Sequence, residues 1–216
     1  LWAGNTNAIG TAEEVVALHS SVNYGGSANA FYGWPSTAAE ENGWEDYFPE
    51  INFYLNFPAG KRKDITFQTE FRTAEGTIVQ WQDSRAFHPY YAKFQLKPNN
   101  NYQSSMPVHL LRYAHVLLIF AEAQARSGSV TSEAYSAINR VRERAGLLPL
   151  ENLNATGFVQ AVVDERAWEF AGEFTRWFDL VRLELVEVVN SDKHPNDLKP
   201  SGVISKSDYT FPAPLG

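Results

Sequence analysis

An α+β fold, mostly helical in its second half, follows from three features of the sequence. From Val108 to Arg182 apolar residues recur at helical intervals, in segments bounded by Ser, Thr, Asn and Gly. Residues 1–107 lack that period and mix aromatics with Gly, Pro and Asn, the composition of loops carrying short strands. The 216 residues are 44% apolar, enough to fill a sizeable core in one or two domains. The chain therefore divides into a loop-rich region, residues 1–107, with short strands and aromatic loops, and a helical region, residues 108–216.

In the first region, Glu14-Val-Val-Ala-Leu-His-Ser-Ser has the length of a strand, or of a helical turn capped by Thr11. Between Phe31 and Phe57 lie nine aromatics, spaced by neither 2 nor 3.6 residues, which describes elaborated loops. Ile65 to Thr73 alternates as a half-exposed strand, Ala74 to Thr77 suits a turn, and Ile78 to Trp81 supplies the returning strand of a hairpin. Pro98 to Pro107 then interrupts regular structure.

The first long helix places Arg112, His115, Glu122 and Arg126 on one stripe and apolar residues nearly everywhere else, so it is expected to be enclosed by its neighbours. Those charges keep its uninterrupted apolar run far below the roughly 18 residues of a membrane span. Gly128 marks its stop. Thr131 or Ser129 can cap a second helix, whose Ala134, Ile138, Val141 and Ala145 share a face and which ends at Gly146. Ala121, Ala125, Ala134 and Ala137 allow close approach of the two, an antiparallel hairpin of the tetratricopeptide type. Asn154 or Thr156 can cap a third helix, on which Phe158, Ala161, Val162 and Trp168 share a broad face with Glu165 and Glu169. A fourth is expected from Phe174 to about Val189, followed by a surface loop from Ser191 to Gly202.

Charge and motifs exclude several chemistries. All of the net charge of −7 falls in residues 1–60, which hold seven Asp/Glu and no Lys/Arg; this disfavours nucleic acid and anionic ligands. There is no cysteine, hence no disulfide or thiolate metal site, and the five histidines form no ligand pair. No nucleophile elbow, phosphate loop or dinucleotide fingerprint is present, and no cofactor is expected. Glu165, Glu169 and Glu173, one helical turn apart, could approach the roughly 5–9 Å carboxyl separations of glycosidases. Carboxylates on an apolar face need partners, however, so structural ion pairs with Arg176, Arg182 or Arg112 explain them better. The aromatic loops are the remaining candidate site. A sugar presents an apolar C–H face and a hydroxyl rim, matching an aromatic platform beside amides and carboxylates. Trp34, Trp44, Tyr47 and Trp81 lead that group, because they sit outside regular elements or at a strand end.

An ordered set of motifs carries a family resemblance: Leu111-Arg112-Tyr113-Ala114, Ala121-Glu122-Ala123, Ile138-Asn139-x-Val141-Arg142-x-Arg144-Ala145-Gly146-Leu147, Glu165-Arg166, Glu169-Phe170 and Arg176-Trp177-Phe178-Asp179-Leu180-Val181-Arg182. Over about 75 residues this resembles the SusD/RagB family of outer-membrane glycan-binding lipoproteins. Ala92-Lys93-Phe94 resembles the short strand before the family's long helix, and Tyr209 to Pro214 the start of its C-terminal segment. His115 is a departure, standing where relatives carry an acidic residue. The resemblance favours a strand at Glu14 to Ser21 and implies a C-terminal portion of a longer protein. It further implies a non-enzymatic surface protein of the outer membrane, anchored through a lipidated N-terminal cysteine that this sequence does not include. Such a protein would pass an oligosaccharide to a SusC-like TonB-dependent transporter. A helical-repeat scaffold that binds only protein, and a glycosidase built on Glu165 and Glu169, are the alternatives.

Overall fold

The computed structural model describes residues 17–19, 48–72, 77–84, 87–93, 107–197 and 202–209. Three helices make its main core: α3 (Tyr113–Arg126), α4 (Ser132–Arg144) and α5 (Ala155–Glu169), with α3 packed against both others. Leu118, Ala121 and Ala125 of α3 meet Ala134, Ala137, Ile138 and Val141 of α4 and Phe158 and Val162 of α5. Alanines where α3 and α4 meet let the backbones come close enough for Leu118 and Ile138 to be fully enclosed.

Local chemistry sets the helix boundaries. Thr131 accepts from the Ala134 amide to start α4, and Asn154 accepts from the Gly157 amide to start α5. α4 closes in a Schellman turn: the Gly146 amide donates to Glu143 and the Leu147 amide to Arg142, with Gly146 at φ 74°. Side chains of α4 hold the connection to α5. Tyr135 donates to the Leu153 carbonyl and accepts from its amide, and Asn139 does the same with Leu150.

The expected fourth helix is two helices, α6 (Arg176–Arg182) and α7 (Val186–Ser191). A second Schellman turn separates them, the Glu184 amide donating to Val181 and the Leu185 amide to Leu180, with Glu184 at φ 54°. The expected enclosure of α3 also needs correction. One face is buried, but Val116, Ile119 and Phe120 stand exposed on the other.

Residues before α3 contain more helix than their composition suggests, in the short α1 (Ile51–Leu55) and α2 (Lys61–Thr66). Glu50 caps α1 by accepting from the Phe53 amide, while Asp197 accepts from the Ile51 amide and bonds His88, closing the late loop onto α1. The strands pair antiparallel: β1 (Ala17–His19) with β6 (Pro107–His109), β2 (Phe67–Gln68) with β5 (Tyr90–Tyr91), and β3 (Glu70–Arg72) with β4 (Ile78–Gln80). The β3–β4 hairpin is shorter than expected, because Ile65 and Thr66 belong to α2. Where the resemblance places a short strand at Ala92–Phe94, β5 ends at Tyr91, immediately before Ala92, and Phe94 lies outside the described residues.

Aromatic residues knit this layer to the helices. Phe57, Phe67 and Tyr91 pack with Ala171, and Phe53, Tyr54, Trp168 and Phe174 flank them. Ile51, Trp81 and Tyr90 form a second cluster beside Phe48. Most contacts are edge-on, including Phe57 on Phe67 at 5.0 Å and 90°.

Candidate functional site

The inward face of α5 brings Glu165 and Glu169 to the positions predicted by their register with Phe158 and Val162, both carboxylates being buried. Arg62 of α2 bridges them, its Nη1 2.6 Å from Glu165 Oε1 and 3.2 Å from Glu169 Oε2. Arg142 Nη1 holds the other Glu165 oxygen at 2.9 Å. Arg112 is the extended residue immediately before α3, and its side chain takes no part in capping. Its guanidinium instead reaches Glu169 at 2.6 Å and both Glu173 oxygens at 2.8 Å, stacking over the Phe170 ring at 4.6 Å. Arg144 also pairs with Glu169, and Lys93 pairs with Glu173 and donates to the Glu169 carbonyl at 2.8 Å.

These contacts decide the electrostatics. Burial alone would raise the Glu169 carboxyl, but Arg112, Arg144 and Lys93 outweigh it and hold the group below the usual carboxylate range. Burial lowers Lys93 despite its pairing with Glu173. On the neighbouring face, Arg182 grips Glu122 through two bonds of 2.7 and 2.8 Å and also donates to Asp179, which Arg166 holds from the other side. His115 lies between these networks, stacked on Phe170 at 4.5 Å with its Nε2 3.1 Å from Arg166 Nη2. Burial, then the Arg166 charge, lowers its pKa, so a neutral ring accepting from the guanidinium is the favoured form.

Among the three arginines expected to pair with Glu165 or Glu169, Arg112 reaches Glu169. Arg182 turns instead to Glu122 of α3 and to Asp179 of its own helix. Arg176 contacts neither glutamate; burial lowers its pKa against the pull of Asp179 and Asp164. Arg62, Arg142 and Arg144 take the remaining places. The Val141-Arg142-x-Arg144 motif marks two of them, whereas Arg62 lies in a stretch with no periodic signal.

A cavity of about 670 Å3 opens beside this network, between α2, the start of α3 and the end of α4, with Ile65 and Phe174 among its walls. Of the aromatic candidates, Trp34, Trp44 and Tyr47 lie outside the described residues. Trp81 is 7% exposed, its ring edge-on to Tyr54 at 5.9 Å, so it anchors its loop and does not present an open stacking face. A glycosidase reading of the glutamates also meets an obstacle. A general acid needs a retained proton and an open approach, yet both Glu165 oxygens accept from arginines and its side chain has no exposed surface. Among the described residues no cluster of three or more His, Asp or Glu side chains could hold a metal ion, and no helix is long and apolar enough to cross a membrane.

Residues 15–204 match the SusD family profile. The chain is 30% identical to SusD-like protein P2 of Formosa agariphila, an alignment covering 99% of this chain and 44% of that protein. It is 33% identical to SusD-like protein P25 of the same organism, over 68% of this chain and 29% of that protein. It therefore spans less than half the length of these curated relatives. Its fold is similar to that of surface glycan-binding protein A from Bacteroides uniformis, with a TM-score of 0.60 and 27% identity over 79% of this chain and 37% of that one. A SusD superfamily protein from Parabacteroides distasonis gives a TM-score of 0.62 and 26% identity over 77% of this chain and 38% of its own.

Proposed function

The chain belongs to the SusD family, and from that premise we propose that it captures an oligosaccharide at the bacterial outer surface, without hydrolysing it, for a SusC-like TonB-dependent transporter. The family match across residues 15–204 carries this reading, supported by the fold shared with a surface glycan-binding protein. The glutamates lend a second support. Arginines occupy Glu165 and Glu169 as a structural network, which speaks against a hydrolytic role. In this reading Trp34, Trp44 and Tyr47 form the sugar platform, and Trp81 anchors its own loop. A lipid on an N-terminal cysteine upstream of this segment holds the protein to the membrane.

Isothermal titration of the full-length protein against a neutral glycan panel, paired with a reducing-sugar release assay, tests the proposal. Binding without sugar release is expected. Release would restore the glycosidase reading. The exposed Val116, Ile119 and Phe120 favour a second reading, a scaffold that binds protein alone. Failure to bind any glycan, alongside tight binding of the transporter, would replace the first with the second.

A further inference from the structure

We propose that the cavity beside the arginine–glutamate network binds an oxyanion group, a carboxylate or a sulfate. The argument begins with charge. Lys61, Arg62, Lys93, Arg112 and Arg144 face three carboxylates, Glu143, Glu169 and Glu173, which leaves two positive charges in excess around the cavity. The charge is graded across the cavity: the side chains of Arg62 and Arg112 are 12% and 24% exposed, while that of Arg144 is 65% exposed and Lys61 stands open. Partly desolvated like charges of that kind are costly until an anion compensates them, and a concave, low-dielectric wall concentrates their field.

Hydrogen bonding points the same way. Among the described residues Arg144 commits only Nη2, to Glu169, and its side chain is 65% exposed, which leaves the rest of that cavity-lining guanidinium available to a ligand. Lys61, on the exposed side of α2, forms no ion pair among the described residues. Guanidinium forks and a mobile ammonium together suit a carboxylate or sulfate better than a hydroxyl. Burial depresses Lys93, and the neighbouring Arg112 adds to that, so a bound anion would relieve both.

The volume, about 670 Å3, lies within the roughly 300–1,000 Å3 usual for small-molecule sites and leaves room for more than a bare ion. Ile65 and Phe174 supply apolar wall that a sugar ring could cover. Two carriers share the chemistry: a uronate or sulfated sugar, and free inorganic sulfate. Only the sugar carrier rests on the glycan-binding reading.

Isothermal titration at constant ionic strength with methyl glucuronide, methyl glucoside and sodium sulfate separates them, using the full-length protein and its Lys61→Gln variant. Lys61 is exposed and outside the network, so the variant should keep its melting temperature. The expected result is glucuronide binding that exceeds glucoside binding about tenfold or more and weakens severalfold in Lys61→Gln. Sulfate binding that weakens in the same variant, without glucuronide binding, keeps the oxyanion site and removes the sugar carrier. Neutral-glycan binding by the full-length protein should not change in Lys61→Gln, so the two readings fail separately. Equal affinity for glucuronide and glucoside overturns the proposal. So does an absence of binding by both glucuronide and sulfate up to about 10 mM, or anion binding indifferent to Lys61→Gln.

Discussion

Glu165 shows what one buried side chain can demand of its surroundings. Each of its oxygens accepts from a different arginine, and its side chain has no exposed surface. Truncating it leaves Arg62 and Arg142 short of a counter-charge, at a cost of about 3–5 kcal/mol. A chain of this size loses about 2–4 °C per kcal/mol, so Glu165→Ala should melt at least about 6 °C lower; a variant within a degree of wild type refutes the pairing. His115 responds to pH. Its folded pKa lies below the ordinary value of 6.5, under the influence of burial and Arg166, with Asp179, Arg112 and Glu173 also facing it. The unfolded chain therefore takes up the proton first, and the stability held above about 6.5 is lost as pH falls toward the folded value. His115→Gln should flatten a urea-denaturation profile in that window and leave glycan affinity unchanged; loss of affinity with the fold intact would make His115 a ligand contact. For the proposed platform, alanine at Trp34, Trp44 or Tyr47 in the full-length protein should weaken glycan binding by about 2 kcal/mol, roughly thirty-fold, with melting unaltered. Destabilisation by all three would mark them as loop anchors, the role in which Phe57 and Trp81 are found.

At the scale of elements, two helix ends built alike differ in how readable they are. α4 stops at Gly146, where a left-handed residue costs nothing sterically and the glycine advertises the turn. The end of α6 uses the same pair of backbone hydrogen bonds with Glu184 in the left-handed position, so no residue type announces it and an uninterrupted helix is the natural expectation. Tertiary contacts override propensity there, with Arg182 drawn to Glu122 and Asp179. Glu184→Gly should relieve about 1 kcal/mol of backbone strain and raise the melting temperature by about 2–4 °C. Its ion pair to Lys206 is exposed on both sides and offsets little. A lower melting temperature would show that Glu184 contributes more through contacts than it costs in conformation. α1 and α2 were hidden for a different reason. Five and six residues are too few for a helical period to rise above an aromatic background, and tertiary packing stabilises both.

Across the whole molecule, legibility follows distance along the chain. The helical hairpin, its caps and the inward glutamates could be read because their signals lie within a few turns of one another. Arg62 could not, because it meets Glu165 across 103 residues and only the finished fold brings them together. That separation has a kinetic consequence. Contacts between α3 and α4 close short loops and can form early, whereas the bridge from α2 to α5 must wait until most of the chain has been gathered. An interaction made after the rate-limiting step affects only how long the native state lasts. Arg62→Gln should therefore leave the refolding limb of a stopped-flow chevron in place and raise the unfolding limb by the full loss of stability, whereas slowed refolding would place the bridge in the transition state. The arginine–glutamate network then acts as a late latch, setting the native lifetime more than the speed with which the fold is reached.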